Sequence, residues 1–276
     1  MEQEEFKLLV SDGLELAGRS WCCPEPKAVL CIVHGLGEHS GRYAHVAEFL
    51  NENGFSIFAF DLRGHGISPG KRGHTPSHEI LLDDVEELLK YARAEYNDLP
   101  MFLLGHSFGG NIVSNYILKK NTGELKGAIL SSSWLTLPKL PSKFEFAMAR
   151  FLNPIFPSLT QSNKLSSSLL TSDPVINKSY DDDPLVFTLA SIRLFLESYE
   201  AGLWAIEHTD RLKIPTLVWH GTEDKITSYA GSKAFAQNAG EKAEFVSWEG
   251  IKHEALNDVS KDKVMAKLLG WMESRI

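Results

Sequence analysis

A serine hydroxyl attacks a carbonyl only when a base takes its proton and the backbone holds it where the carbonyl can reach. The segment Gly105-His106-Ser107-Phe108-Gly109 meets the second condition. It follows the apolar run Met101-Phe102-Leu103-Leu104 and precedes a helix-like stretch from Asn111 to Lys120, so Ser107 falls on a strand-to-helix turn. Such a turn strains its central residue, and small neighbours let strand and helix approach each other. Gly105 and Gly109 fill those places, and Gly110 adds room. The bare pattern also occurs in glycine-rich turns with a solvated serine; the strand before and the helix after make Ser107 the expected nucleophile.

The base and the acid that orients it are expected in the chain order Ser, acid, His, on loops after later strands. Of ten histidines only His208, His220 and His253 follow Ser107. His208 lies near the end of an irregular region and His220 ends an apolar run, whereas His253 stands on the loop Gly250-Ile251-Lys252-His253-Glu254 beyond the last strand-like segment. His253 is therefore the expected base. For the acid, His220-Gly221-Thr222-Glu223-Asp224 follows the penultimate strand and puts Asp224 at the same sheet edge, with Glu223 and Asp258 as alternatives. A buried carboxylate there would set the imidazole tautomer and stabilise the imidazolium.

The tetrahedral intermediate needs two preorganised backbone donors. One is expected from Phe108, after the nucleophile, and the other from His34-Gly35-Leu36-Gly37, with Leu36 as the donor. This chemistry calls for no metal and no cofactor. The histidines lack H-E-x-x-H spacing, no cysteine pair suits zinc, and no dinucleotide or Walker-type phosphate loop is present.

Short β-branched and aromatic runs alternate with helical patterns, which predicts a mostly parallel sheet covered by helices on both faces. Leu14 to Cys23 reads as an antiparallel lead-in strand. Ala28 to Val33, Ser56 to Phe60, Met101 to Leu104, Gly127 to Leu130, Thr216 to His220 and Glu244 to Trp248 read as further strands. Helices are expected around Tyr43 to Leu50, Leu81 to Tyr96, Tyr229 to Asn238 and Lys261 to Ser274. Asp84, Glu86 and Glu87 are expected on a solvated helix face. From about Leu135 to Ile206 the alternation breaks, which predicts an insertion within one domain spanning 1–276. Inside it, Phe144, Met148, Phe151 and Leu152 recur at helical spacing up to Pro154. Ser166 to Ser168 and Asp181 to Pro184 read as loops, and Phe187 to Leu203 as another helix.

The formal charge is −8, and no cluster of Lys or Arg stands out, which disfavours nucleic acid and an anionic membrane as partners. The acidic start Met1-Glu2-Gln3-Glu4-Glu5 is not followed by a signal-like apolar region, and no apolar stretch reaches bilayer-spanning length. Cys22, Cys23 and Cys31 make a poor disulfide framework. A cytoplasmic location with reduced thiols is the resulting expectation, with no stable membrane anchor. The apolar face of the insertion leaves transient contact with a lipid surface open.

His34-Gly35-Leu36-Gly37-Glu38-His39-Ser40-Gly41-Arg42-Tyr43, Asp61-Leu62-Arg63-Gly64-His65-Gly66-Ile67-Ser68, the nucleophile motif, His220 to Asp224 and Lys252-His253-Glu254 together resemble the α/β-hydrolase superfamily over almost the whole chain. Within it they are most similar to monoacylglycerol lipases and lysophospholipase-like serine hydrolases. The resemblance implies the α/β-hydrolase fold with a helical cap over an acyl tunnel. It also implies an ester hydrolase acting on single-chain acyl esters, foremost monoacylglycerols cleaved to fatty acid and glycerol. Equivalents of Glu38 and Arg42 lie near the site in that family, which leaves two roles for them here: the polar part of the substrate pocket, or a structural ion pair. Phe108 departs from the methionine often found after the serine, and its bulk would narrow the pocket. Broad carboxylesterase, lysophospholipase, thioesterase or aminopeptidase-like activity would use the same machinery, and a noncatalytic ligand-binding scaffold is the alternative from another class.

Overall fold

The computed structural model describes residues 3–123, 125–163 and 165–276. Met1 and Glu2 of the acidic start lie outside them. In chain order the strands are β1 (Gln3–Leu9), β2 (Glu15–Trp21), β3 (Ala28–Val33), β4 (Phe55–Phe60), β5 (Met101–His106), β6 (Leu125–Ser131), β7 (Thr160–Ser162), β8 (Leu189–Ser191), β9 (Thr216–Gly221) and β10 (Ala243–Trp248). The helices are α1 (Ala44–Glu52), α2 (His78–Glu95), α3 (Phe108–Lys119), α4 (Lys143–Leu152), α5 (Pro174–Asp182), α6 (Ile192–Glu207), α7 (Tyr229–Ala239) and α8 (Lys261–Glu273).

Among the described residues eight strands form one sheet in the order β1-β2-β4-β3-β5-β6-β9-β10. β1, β2 and β4 pair antiparallel in succession, and every other neighbour is parallel. The central runs are apolar at every position because both faces are covered. In β3, Val29, Cys31 and Val33 join the core beneath α2, α3 and α7, whereas Ala28, Leu30 and Ile32 join the core beneath α1 and α8. This is the α/β-hydrolase fold, with a mostly parallel sheet between two helical layers.

Several details differ from the sequence reading. Gln3–Leu9 is a strand, not only an acidic segment, and the Phe6 ring covers Gly18 of its neighbour so closely that a Cβ there would lie 2.2 Å from it. α3 begins at Phe108, directly on the Ser107 turn, instead of at Asn111. Asp84 is buried, not solvated: Arg63 grips it with Nε to Oδ2 at 2.7 Å and Nη2 to Oδ1 at 2.6 Å. A fixed guanidinium fork satisfies a carboxylate that water would otherwise have to hold.

β6 and β9 are adjacent and parallel, yet residues 132–215 run between them and carry α4 to α6 with the two-stranded β7–β8 ribbon. Asp181 and Asp182 close α5 instead of forming a loop, because the Asp173 cap and Pro174 start a helix that runs to Asp182, and Asp183, before Pro184, is extended. The helix expected from Phe187 starts at Ile192 instead, since Leu189–Ser191 pairs with Thr160–Ser162 and Ser191 caps the following turn. Among the described residues no helix is long and apolar enough to cross a membrane.

Candidate active site

The parallel strands all end at one edge of the sheet, where their loops bring side chains from distant parts of the chain together. Ser107 follows β5 with φ 54° and ψ −113°, a left-handed conformation that L-residues rarely adopt. The turn can be that tight because Gly109 lies against β3: a Cβ there would lie 2.1 Å from the Val33 carbonyl oxygen. Phe108 opens α3, so its N–H belongs to the first turn, which has no intrahelical acceptor and carries the positive end of the helix dipole.

His253 stands on the loop after β10 and is buried. Its Nδ1–H donates to Asp224 Oδ2 at 2.7 Å, which leaves Nε2 as the free proton acceptor. Asp224 is well supplied with donors. Its Oδ1 accepts from the backbone N–H of Ile226 at 2.7 Å and of Thr227 at 3.0 Å, Oδ2 also accepts from the Thr227 hydroxyl at 2.9 Å, and His220 Nε2 lies 2.9 Å from Oδ2. Burial pushes the Asp224 carboxyl up, but His253 and His220 outweigh it and hold the group far below the usual carboxylate range. For His253 burial acts downward, and the Asp224 charge and hydrogen bond, helped by Glu254 and Glu38, raise the imidazole above its ordinary value. Of the alternative acids, Glu223 is exposed, and Asp258 instead accepts from the Ser172 N–H at 2.9 Å. Of the alternative bases, His208 stacks on Trp204 at the end of α6, and His220 is buried with its Nε2 2.9 Å from Asp224 Oδ2.

Ser107, His253, Leu36 and Glu38 line one cavity of about 340 Å³, within the range of small-ligand pockets. Its far walls are apolar, with Trp134, Leu137, Leu169 and Phe195 prominent. The nearer end is acidic: Glu38 and Glu254 both reach the lining. Arg42 lies behind them, Nη1 donating to Glu38 Oε2 at 2.6 Å and to Glu254 Oε1 at 2.7 Å, and Nη2 to Glu254 Oε2 at 2.7 Å. Burial pushes the Glu38 carboxyl up, but Arg42 and the nearby histidines overcome it and bring it down to about 2. The sequence reading left Glu38 and Arg42 between pocket and ion pair; Glu38 is in both, while Arg42 is in the ion pair.

The sequence gives no role to Glu254 or to Tyr180, whose ring lies 4.8 Å from the Arg42 guanidinium, and it offers His220 only as an alternative base, not as a neighbour of Asp224. One signal was available for Glu254: a carboxylate beside the expected base, in a chain whose Arg42 needed a partner. Among the described residues no group of three or more His, Cys, Asp or Glu is placed to hold a metal ion.

The family model described as serine aminopeptidase S33 matches residues 24–260. An uncharacterized abhydrolase domain-containing protein of Dictyostelium discoideum is 34% identical across 100% of this chain, which spans only 30% of that protein's length. Phospholipase YtpA of Bacillus subtilis is 31% identical, with 89% of this chain and 95% of that protein covered. The crystal structure of Paleococcus ferrophilus monoacylglycerol lipase superposes with a TM-score of 0.85 at 34% identity, covering 95% of this chain and 100% of that one.

Proposed function

The chain belongs to the serine aminopeptidase S33 family of α/β-hydrolases, and from that membership we propose that it is a serine-dependent ester hydrolase whose substrates are monoacylglycerols. The observation that carries this reading is the juxtaposition of Ser107, on its strained turn, with the Asp224-oriented His253 in one largely apolar cavity.

In this mechanism His253 Nε2 takes the Ser107 proton as Oγ attacks the ester carbonyl. The N–H groups of Phe108 and Leu36 stabilise the oxyanion, with the α3 dipole adding to the first. The imidazolium then protonates the departing glycerol oxygen, leaving an acyl-serine. Water, deprotonated by His253, releases the fatty acid and restores Ser107. Residues of about 135–206 form the cap, whose Trp134-side wall takes the acyl chain. Glu38 and Glu254 exceed Arg42 by one negative charge, so the polar end favours a neutral polyol over a phosphate.

A phospholipid or lysophospholipid is the second reading. It is favoured by the similarity to phospholipase YtpA and by exposed Lys225, a cation on the cavity wall beside Asp224. Hydrolysis of monoacylglycerols, lysophospholipids, p-nitrophenyl esters, acyl thioesters and aminoacyl amides by wild type and Ser107→Ala separates these outcomes. Ser107-dependent turnover greatest on monoacylglycerols is expected. A lysophospholipid or thioester preference would move the substrate, and a folded protein inactive on every substrate would favour the binding scaffold.

A further inference from the structure

His253 and the Leu36 N–H belong to loops that follow β10 and β3, strands separated in the sheet by β5, β6 and β9. Serine chemistry needs both loops in register, since a displacement of about 1 Å in a reacting constellation can cost about 10²-fold in rate. The loops are joined by one continuous set of contacts. Gly35, immediately before Leu36, donates its N–H to Glu38 Oε1 at 2.5 Å. Tyr43 Oη donates to the same oxygen at 3.0 Å. Arg42 takes the other Glu38 oxygen and grips Glu254, next to His253, through both of that carboxylate's oxygens.

We propose that Arg42, Glu38 and Glu254 form a positioning strap that holds the His253 loop in register with the Leu36 loop. This rests on the ester-hydrolase reading above, and it assigns Glu254 a role in the reaction although it touches no reacting atom.

Three observations favour a strap over a binding group for the leaving alcohol. Both oxygens of Glu38 and both oxygens of Glu254 already accept hydrogen bonds, Glu254 Oε2 also from Asn257 Nδ2 at 2.8 Å. Arg42 is absent from the cavity lining, so its charge serves the two carboxylates. Glu254 also donates its own N–H to the Leu170 carbonyl at 2.8 Å, which fixes the backbone at the point where His253 departs. The bidentate geometry matters because a guanidinium fork sets orientation as well as distance, which a lysine ammonium cannot.

The test compares Glu254→Gln and Arg42→Lys with wild type in two reactions: monoacylglycerol hydrolysis, whose leaving group is glycerol, and irreversible labelling by a small fluorophosphonate that carries no glycerol. A strap predicts that labelling and kcat/KM slow together, by about 10–10²-fold, with KM little changed, because His253 is the base in both reactions. Labelling at the wild-type rate with a raised KM would overturn it in favour of leaving-group binding. A lowered melting temperature with both rates unchanged would overturn it in favour of a purely structural ion pair. If Glu254→Gln does not fold, Arg42→Lys, which retains the positive charge, decides. Absence of Ser107-dependent labelling in wild type would instead defeat the ester-hydrolase reading itself, which keeps the two failures distinct.

Discussion

His220 and His253 bind the same oxygen of Asp224: Nε2 of His220 lies 2.9 Å and Nδ1 of His253 lies 2.7 Å from Oδ2. His220 is in turn placed through its Nδ1, 2.8 Å from the Ser232 hydroxyl. Two imidazoles thus converge on one carboxylate oxygen, His220 held by Ser232 and His253 by Asp224 itself. Asp224→Asn would replace a carboxylate that accepts on both oxygens with an amide whose NH2 must face N–H donors on one side, and the His253 tautomer would be lost. Turnover is expected to fall by about 10⁴-fold, the scale seen when a triad aspartate becomes asparagine. Steady-state kinetics with a melting curve on the same sample checks this, and unchanged turnover would reassign the acid.

The pH profile follows from the charges around His253. Burial opposes its protonated form, while the Asp224 charge and hydrogen bond, with Glu254 and Glu38, favour it. The net effect is a pKa above the ordinary 6.5. A protonated imidazole cannot accept the Ser107 proton, so kcat/KM should fall as pH drops through that raised pKa, with a midpoint above 6.5. Glu254→Gln removes a charge that favours the imidazolium and should move this midpoint to lower pH. A shift to higher pH, or none, would contradict the assigned electrostatics.

Strain at Ser107 makes a stability prediction independent of activity. At φ 54° a Cβ is unfavourable and glycine is not, whereas glycine's extra freedom in the unfolded chain works the other way. Release of about 1–3 kcal/mol of strain against about 0.5–1 kcal/mol of entropy leaves Ser107→Gly more stable than Ser107→Ala. Both variants should be inactive, with Ser107→Gly melting higher. The reverse order would mean the turn is not strained.

Gly109→Ala tests the approach of α3 to β3. The added methyl would meet the Val33 and His34 carbonyl oxygens at 2.1 and 2.5 Å, and neither backbone atom can move away cheaply. A destabilisation of about 1–3 kcal/mol is expected from overpacking alone, with activity falling further because the displaced helix carries the Phe108 N–H. Denaturant unfolding together with fluorophosphonate labelling would separate the two effects.

α4 exposes Phe144, Met148 and Phe151 and buries none of its residues, and Ile155 and Phe156 just beyond it are exposed as well. Phe144→Glu with Phe151→Glu should therefore weaken turnover of micellar long-chain monoacylglycerol several-fold while leaving a monomeric short-chain ester unaffected. Equal effects on both substrates would place the change inside the cavity instead.

Much of the site could be read along the chain because its signals are local. A strand, a glycine-flanked serine and a helix in succession mark Ser107, and the same succession of apolar runs and helical patterns puts Asp224 and His253 on loops at the same sheet edge. What that reading could not contain were the partners of buried charges. Arg42 meets Glu254 across 212 positions and Asp84 faces Arg63 on another element, so an acidic residue that looks solvated in a helical pattern is buried because of where a distant guanidinium is packed. The region of residues 132–215 shows the same division: its capping residues and prolines mark helices, but β8 exists only because β7 lies beside it. By itself, the sequence determined the succession of apolar runs and helical patterns and the order in which Ser107, Asp224 and His253 arrive at one sheet edge. The tertiary structure alone decided which carboxylate faces which cation and which imidazole keeps a free nitrogen, because those depend on distances between elements that no local pattern encodes.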